Sequence, residues 1–140
     1  MKPMRSLILE QTIAALYWVM LIAALWVLLR GHNEPGGGFI AALLAVAASC
    51  VYALVFGPDA ARHRLPLPPM TLAALGLGLA VASGLPGLLS GNPFLSHLWG
   101  ELPLGVGSLK LSTVMLFDLG VLLCVWGSLA GFCLRLLETR

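Results

Sequence analysis

Long apolar runs separated by charge constrain this chain more than any other feature. Residues 11–29 carry no Asp, Glu, Lys, Arg or His. As a helix rising 1.5 Å per residue they span about 28 Å, against a hydrocarbon core of about 30 Å. A second uncharged gap, between Glu34 and Asp59, predicts a helix over 38–56. The gap from Arg64 to Glu101 is too long for one span and is broken by Pro86, Gly87, Gly91 and Pro93, which predicts a third helix over 69–89. The fourth, over 111–134, holds a single charge, Asp118. Only 10% of the 140 residues are charged, against about 25% in soluble domains, and mean hydropathy is +0.96. A water-facing surface cannot be built from so few charges, so lipid is the solvent. A net charge of +2 without a polybasic cluster excludes nucleic acid as a partner.

The expected fold is therefore all-α: one membrane domain over 1–140, with four transmembrane helices and short loops. The first helix is retained, because its apolar run exceeds a signal peptide's 7–15 residues and ends in Arg30-Gly31-His32. Lys2, Arg5, Arg62, Arg64, Arg135 and Arg140 fall on one side, and Arg30 and Lys110 on the other. The positive-inside rule then places both termini and the Pro58–Pro68 connector in the cytoplasm of a cell with this chain in its inner (plasma) membrane. Trp26 and Trp99 belong at the outer interface.

Helices in lipid associate through close packing and polar contacts. Gly76, Ala80 and Gly84 recur at four-residue spacing on the third helix, Gly127 and Gly131 on the fourth, and Ala41, Ala45 and Ser49 on the second. These faces serve either packing within the chain or contact with a neighbouring membrane protein. Cys50, Cys124 and Cys133 lie in apolar stretches without metal-ligand spacing and read as small buried side chains. No metal or cofactor is expected.

The densest polar cluster, "RGHNEPGGGF", abuts the second apolar run. Pro35 biases Glu34 toward an extended conformation and suits a helix start. Gly36, Gly37 and Gly38 remove side-chain bulk before Phe39. Two uses follow. The glycines let another backbone come close, or the helix start attracts an anion or carboxylate. His32 titrates near neutral pH, and Glu34 is available to Arg30 or to a cation. Asp118, about eight residues into the fourth span, lies about 12 Å below its start. An ionised carboxylate at a helix centre costs about 2.5–3.5 kcal/mol, so this acid is protonated, paired or beside water. It is either part of an ion path or a hydrogen-bonded anchor. His32, Glu34, His63, His97, Glu101 and Asp118 show no nucleophile–base or metal-ligand spacing, which argues against an enzyme.

The run "GHNEPGGGFIAALL" resembles the motif of the B-type (MnhB/MrpB-like) component of the multi-subunit cation/proton antiporters of the Mrp/Mnh type. The run "STVMLFDLGVLLCVWGSLAGFCLRLLE" (Ser112 to Glu138) is similar to that family's C-terminal helix. Ala41 and Ala42 depart from the glycines the family often shows there. The resemblance implies a non-catalytic membrane protein that works with other membrane subunits, with Na+ and H+ as the transported ions. It implies a role in assembly or in lining a cation path; the charges singled out above, Asp118, His32 and Glu34, are the candidates for handling ions there. Two alternatives stand beside it. One is a stand-alone four-helix proton-coupled transporter, which residues 11–29 disfavour by lacking an acid. The other is the equivalent component of a hydrogenase-like ion-pumping complex.

Overall fold

A computed structural model describes residues 6–30, 37–89, 91, 99–104 and 107–140. Among the described residues, four helical segments are long and apolar enough to cross a membrane. The first, α1, runs Leu7–Arg30. Ser6 starts it, its hydroxyl accepting the Leu9 N–H at 3.2 Å, which satisfies one of the donors a helix start leaves over. The second, α2, runs Gly38–Phe56 and stops at Gly57, whose φ of +95° is left-handed and whose N–H returns to the Ala53 carbonyl at 2.9 Å. Pro58 follows at the first helical position of α3, Pro58–Arg64. The connector expected between the second and third spans is thus itself a short helix, docked by buried Ala61 and Leu65.

The expected third helix over 69–89 is two: α4, Pro69–Ala82, and α5, Leu85–Leu89. The break has a covalent cause. Pro86 has no N–H for the carbonyl four residues earlier, at Ala82, and its ring crowds that carbonyl. The chain turns through Ser83 and Gly84 instead. Ser83 donates its N–H to Leu79 O at 2.9 Å and its hydroxyl to Ala80 O at 2.6 Å, so the turn keeps its polar groups paired. An antiparallel hairpin follows, β1 (Trp99–Leu104) and β2 (Gly107–Ser112), in register Trp99 to Ser112 and Leu104 to Gly107. It lies between spans and leaves the four-helix class intact. The last helix, α6, runs Thr113–Glu138.

The long helices lie in a row, α1–α2–α6–α4, with α6 packed between α2 and α4 and α1 packed on α2. Small residues set these contacts. A Cβ on Gly127 would stand 2.6 Å from Ala73 N and 2.7 Å from Pro69 O, and one on Gly120 would stand 2.6 Å from Ala80 N. Backbone therefore lies on backbone along α4 and α6. Across α2 and α6 the core is Ala41, Ala45, Ala48 and Ala130, joined by one buried polar link. Trp126 Nε1 donates to Ser49 Oγ at 2.9 Å, and Ser49 donates to Ala45 O at 3.0 Å. Many large apolar side chains point outward, among them Ile8, Trp18, Met70 and Leu89. Lipid tails, as apolar as leucine, are a fitting medium for that surface.

One end of the row is aromatic and cationic. Arg64 donates Nε–H to Tyr52 Oη at 3.2 Å, and its guanidinium lies 5.3 Å from the Tyr52 ring centroid and 5.9 Å from that of Trp18. Tyr17 donates to the Arg64 carbonyl at 3.3 Å. Arg62 pairs with Glu138 at 2.6 Å, fastening α3 to the end of α6. With side chains 40% and 36% exposed, that pair adds at most about 1 kcal/mol. At the opposite end the Arg30 guanidinium lies 4.9 Å from the Trp26 ring centroid.

Two outcomes test this packing. Gly76→Leu drives a side chain into the α6 backbone at Gly120 and Cys124, whereas Gly78, on the same helix, faces open space. Thermal unfolding of the detergent-extracted protein should fall by the equivalent of about 3 kcal/mol for Gly76→Leu, the upper range for overpacking, and stay unchanged for Gly78→Leu. A double-mutant cycle of Trp126→Phe and Ser49→Ala should return a coupling of about 0.6 kcal/mol and at most about 1.7 kcal/mol, the range for hydrogen bonds between membrane helices.

Candidate functional site

The glycine start of α2 and the intramembrane acid of α6 meet. Gly37 carries φ +119°, a backbone that side-chain-bearing residues rarely adopt, and the side chain it lacks would lie 4.0 Å from Asp118 Oδ1. Gly38 is tighter. A Cβ there would overlap the Asp118 backbone carbonyl and stand 2.9 Å from its Cα. Both glycines are buried. At Gly38 the backbones of α2 and α6 come close, and beside Gly37 the Asp118 carboxyl group stands at the helix start. The positive end of the α2 dipole and the Asp118 side chain thus share one end of the α2–α6 pair, a favourable arrangement for negative charge.

Asp118 is half-buried. It lies five residues after Thr113, the first residue of α6, or about 8 Å along the helix. The helix starts at Thr113 rather than at Leu111, because Leu111 and Ser112 belong to β2.

The other residues singled out from sequence divide as follows. His32, Glu34, Pro35 and Gly36 lie outside the described residues. Phe39 faces outward, 56% exposed, one residue past the contact. Gly76 and Ala80 meet Gly120 and Cys124 across α4 and α6. Gly84 is buried in the turn that ends α4. Gly127 and Gly131 rest on Ala73 and Pro69. The small-residue faces of α4 and α6 are thus turned to each other within the chain.

Sequence reasoning passes over Gly120 as a packing residue. Its signal is there: Gly120, Cys124, Gly127 and Gly131 recur at intervals of four, three and four, one stripe of a helix. The Trp126–Ser49 bond and the Tyr17–Tyr52–Arg64 cluster carry no comparable signal, because each joins residues from different helices.

Among the described residues no group of three or more His, Cys, Asp or Glu side chains gathers to hold a metal. A groove of about 310 Å³ between α4 and α6 is lined by Leu77, Ala80, Val81, Phe117, Val121 and neighbours. A second, of about 200 Å³, opens beside Ala24, Leu28, Ala45 and Leu119. These linings suit acyl chains or apolar side chains, whereas hard cations require oxygen ligands. The Gly37–Asp118 junction is a polar feature that helix packing constructs at the start of α2.

Residues 8–131 match the model of a domain related to the MnhB subunit of Na+/H+ antiporters. The B-type Na+/H+ antiporter subunit of Bacillus subtilis is 36% identical over 124 residues, 87% of this chain and 86% of the relative. The protein of the same name from Alkalihalophilus pseudofirmus is 32% identical over 123 residues, 86% of this chain and 85% of the relative. A chain in the structure of the Mrp complex from a Dietzia species superposes with a TM-score of 0.76 at 34% identity. That match covers 89% of this chain but only 13% of the Dietzia chain. The chain belongs to the MnhB family of Na+/H+ antiporter subunits.

Proposed function

We propose that this chain is a non-catalytic, multi-pass subunit of a multi-subunit Na+/H+ antiporter in the plasma membrane, and that the α2–α6 junction at Gly37, Gly38 and Asp118 borders the cation path. The observation that carries the second part is the contact itself. The glycine motif and the single Asp, Glu, Lys, Arg or His within 113–134 come together at one end of one helix pair.

The physical reasoning has three parts. Gly38 removes the bulk that would keep the backbones of α2 and α6 apart, which sets the position of the Asp118 backbone. The carboxyl group beside Gly37 then lies where the α2 dipole favours negative charge, the sign of charge that draws a cation. Finally, a single acid does not make a proton relay. Residues 11–29, 38–56 and 69–89 contain no Asp, Glu, Lys, Arg or His. In this reading the chain completes the assembly and shapes a cation route, while larger partners move the protons whose inward flow expels Na+.

The row of helices supports dependence on partners. With α1 resting on α2 and α4 on α6, both broad faces of the layer are available to other membrane subunits and to lipid. Orientation follows from charge. Arg62, Arg64 and Glu138 mark one end and the glycine–Asp118 junction the other, so the cationic end belongs in the cytoplasm and the junction opens outward, where Na+ leaves.

Three outcomes follow. Gentle detergent extraction through a tag on this chain should bring down several larger membrane subunits, and recovery of the chain alone would refute the assembly role. Gly38→Ala should reduce both co-purification and Na+/H+ antiport in membrane vesicles, because the added methyl meets backbone and no rotamer change relieves it. Asp118→Asn should leave co-purification intact but raise the Na+ concentration for half-maximal antiport by about tenfold, a change of about 1.4 kcal/mol. Unaltered Na+ and pH dependence in that variant would reduce Asp118 to a structural anchor.

A further inference from the structure

We propose that Cys50 and Cys133 form an oxidisable dithiol that closes into a disulfide between α2 and α6. The two sulfur atoms stand 2.8 Å apart, Cys50 on α2 and Cys133 on α6, and both cysteines are free and half-buried. The helices that carry them already pack along their length, so closure draws two side chains together without first assembling two helices. The position along the helices matters as well. Cys50 lies six residues before Phe56 and Cys133 five before Glu138, about 8–9 Å from the helix ends. This is the end that carries the Arg62–Glu138 ion pair, so the dithiol lies within two turns of a polar, hydrated rim. An uncharged hydroperoxide can cross that distance.

The chemistry balances with hydrogen peroxide as the oxidant. The sulfur of one cysteine, as thiolate, attacks a peroxide oxygen. The O–O bond breaks, a sulfenic acid forms and hydroxide leaves, taking up the proton the thiol gave up to become the first water. The second sulfur attacks the sulfenic sulfur, the S–S bond forms and the S–O bond breaks, releasing a second water. Two S–H bonds are lost and each sulfur gives up one electron, while the two peroxide oxygens end as two waters. A dithiol reductant reverses the bond by thiol–disulfide exchange.

Cys124 provides an internal control. Its backbone faces Gly76 of α4 and it borders the α4–α6 groove, away from the pair. The bond would fasten α2 to α6 at the end opposite Gly38 and Asp118, so the helix pair would be held at both ends.

The test uses the intact assembly in native membranes. The membranes are treated with hydrogen peroxide, the peroxide is removed, and the chain is denatured, alkylated with N-ethylmaleimide and weighed. The untreated chain should take a label on each of its three cysteines. The oxidised chain should weigh two hydrogens less and take one label, on Cys124, with full labelling restored by dithiothreitol. Cys50→Ser and Cys133→Ser should each keep both remaining labels after oxidation, and Cys124→Ser should keep none. Full labelling of the oxidised wild-type chain would overturn the proposal. So would a bond mapped to Cys124, a bond between two chains, or irreversible addition of oxygen to Cys50 or Cys133.

Discussion

Backbone-to-backbone contact between helices is what the rest of this structure depends on. Burying apolar surface does not draw helices together in a medium that is itself apolar. What remains is dispersion at short range, which needs close approach, and a few polar bonds. At α4 and α6 glycine permits that approach: Gly76 and Gly120 face one another, and Gly127 lies on Ala73 and Pro69. At α2 and α6 alanine fills most of the interface, with Ala41, Ala45, Ala48 and Ala130 buried. The Trp126–Ser49 hydrogen bond then fixes register where alanine alone would permit sliding. Because α6 takes part in both interfaces, it is the hub of the layer.

The same constraint builds the functional junction. The final contact between α2 and α6 comes where α2 begins, and there the chain uses Gly38 against the backbone of Asp118. A helix start and a carboxyl group are thereby brought together by packing rather than by a loop. The opposite end is held differently, by Arg64 between aromatic rings and by Arg62 on Glu138, as suits an end exposed to headgroups and water.

The membrane class, the four spans and the packing stripes on α4 and α6 are legible in the sequence because each rests on local pattern. A charge-free run of bilayer length reads directly from residues 11–29, and small residues four apart read directly at Gly127 and Gly131. The break in the third span is half legible. Pro86 reads as a breaker, but its effect falls four residues earlier, at Ala82, because a helix hydrogen bond reaches back that far. The start of the last helix falls two residues later than expected for a related reason. Residues 111 and 112 are as compatible with a strand as with a helix, and pairing with β1 decides between them.

By itself, then, the order of amino acids determined where this chain lives, how many times it crosses, and which helix faces could come close. It did so because solvent preference and side-chain volume belong to each residue alone. Only the tertiary structure decided which face meets which. Gly38 lies on Asp118, Gly76 lies on Gly120 and Cys124, and Cys50 lies beside Cys133. Those pairings depend on the order α1–α2–α6–α4, and helix order in lipid is set by contacts between residues far apart in sequence, which no local pattern encodes.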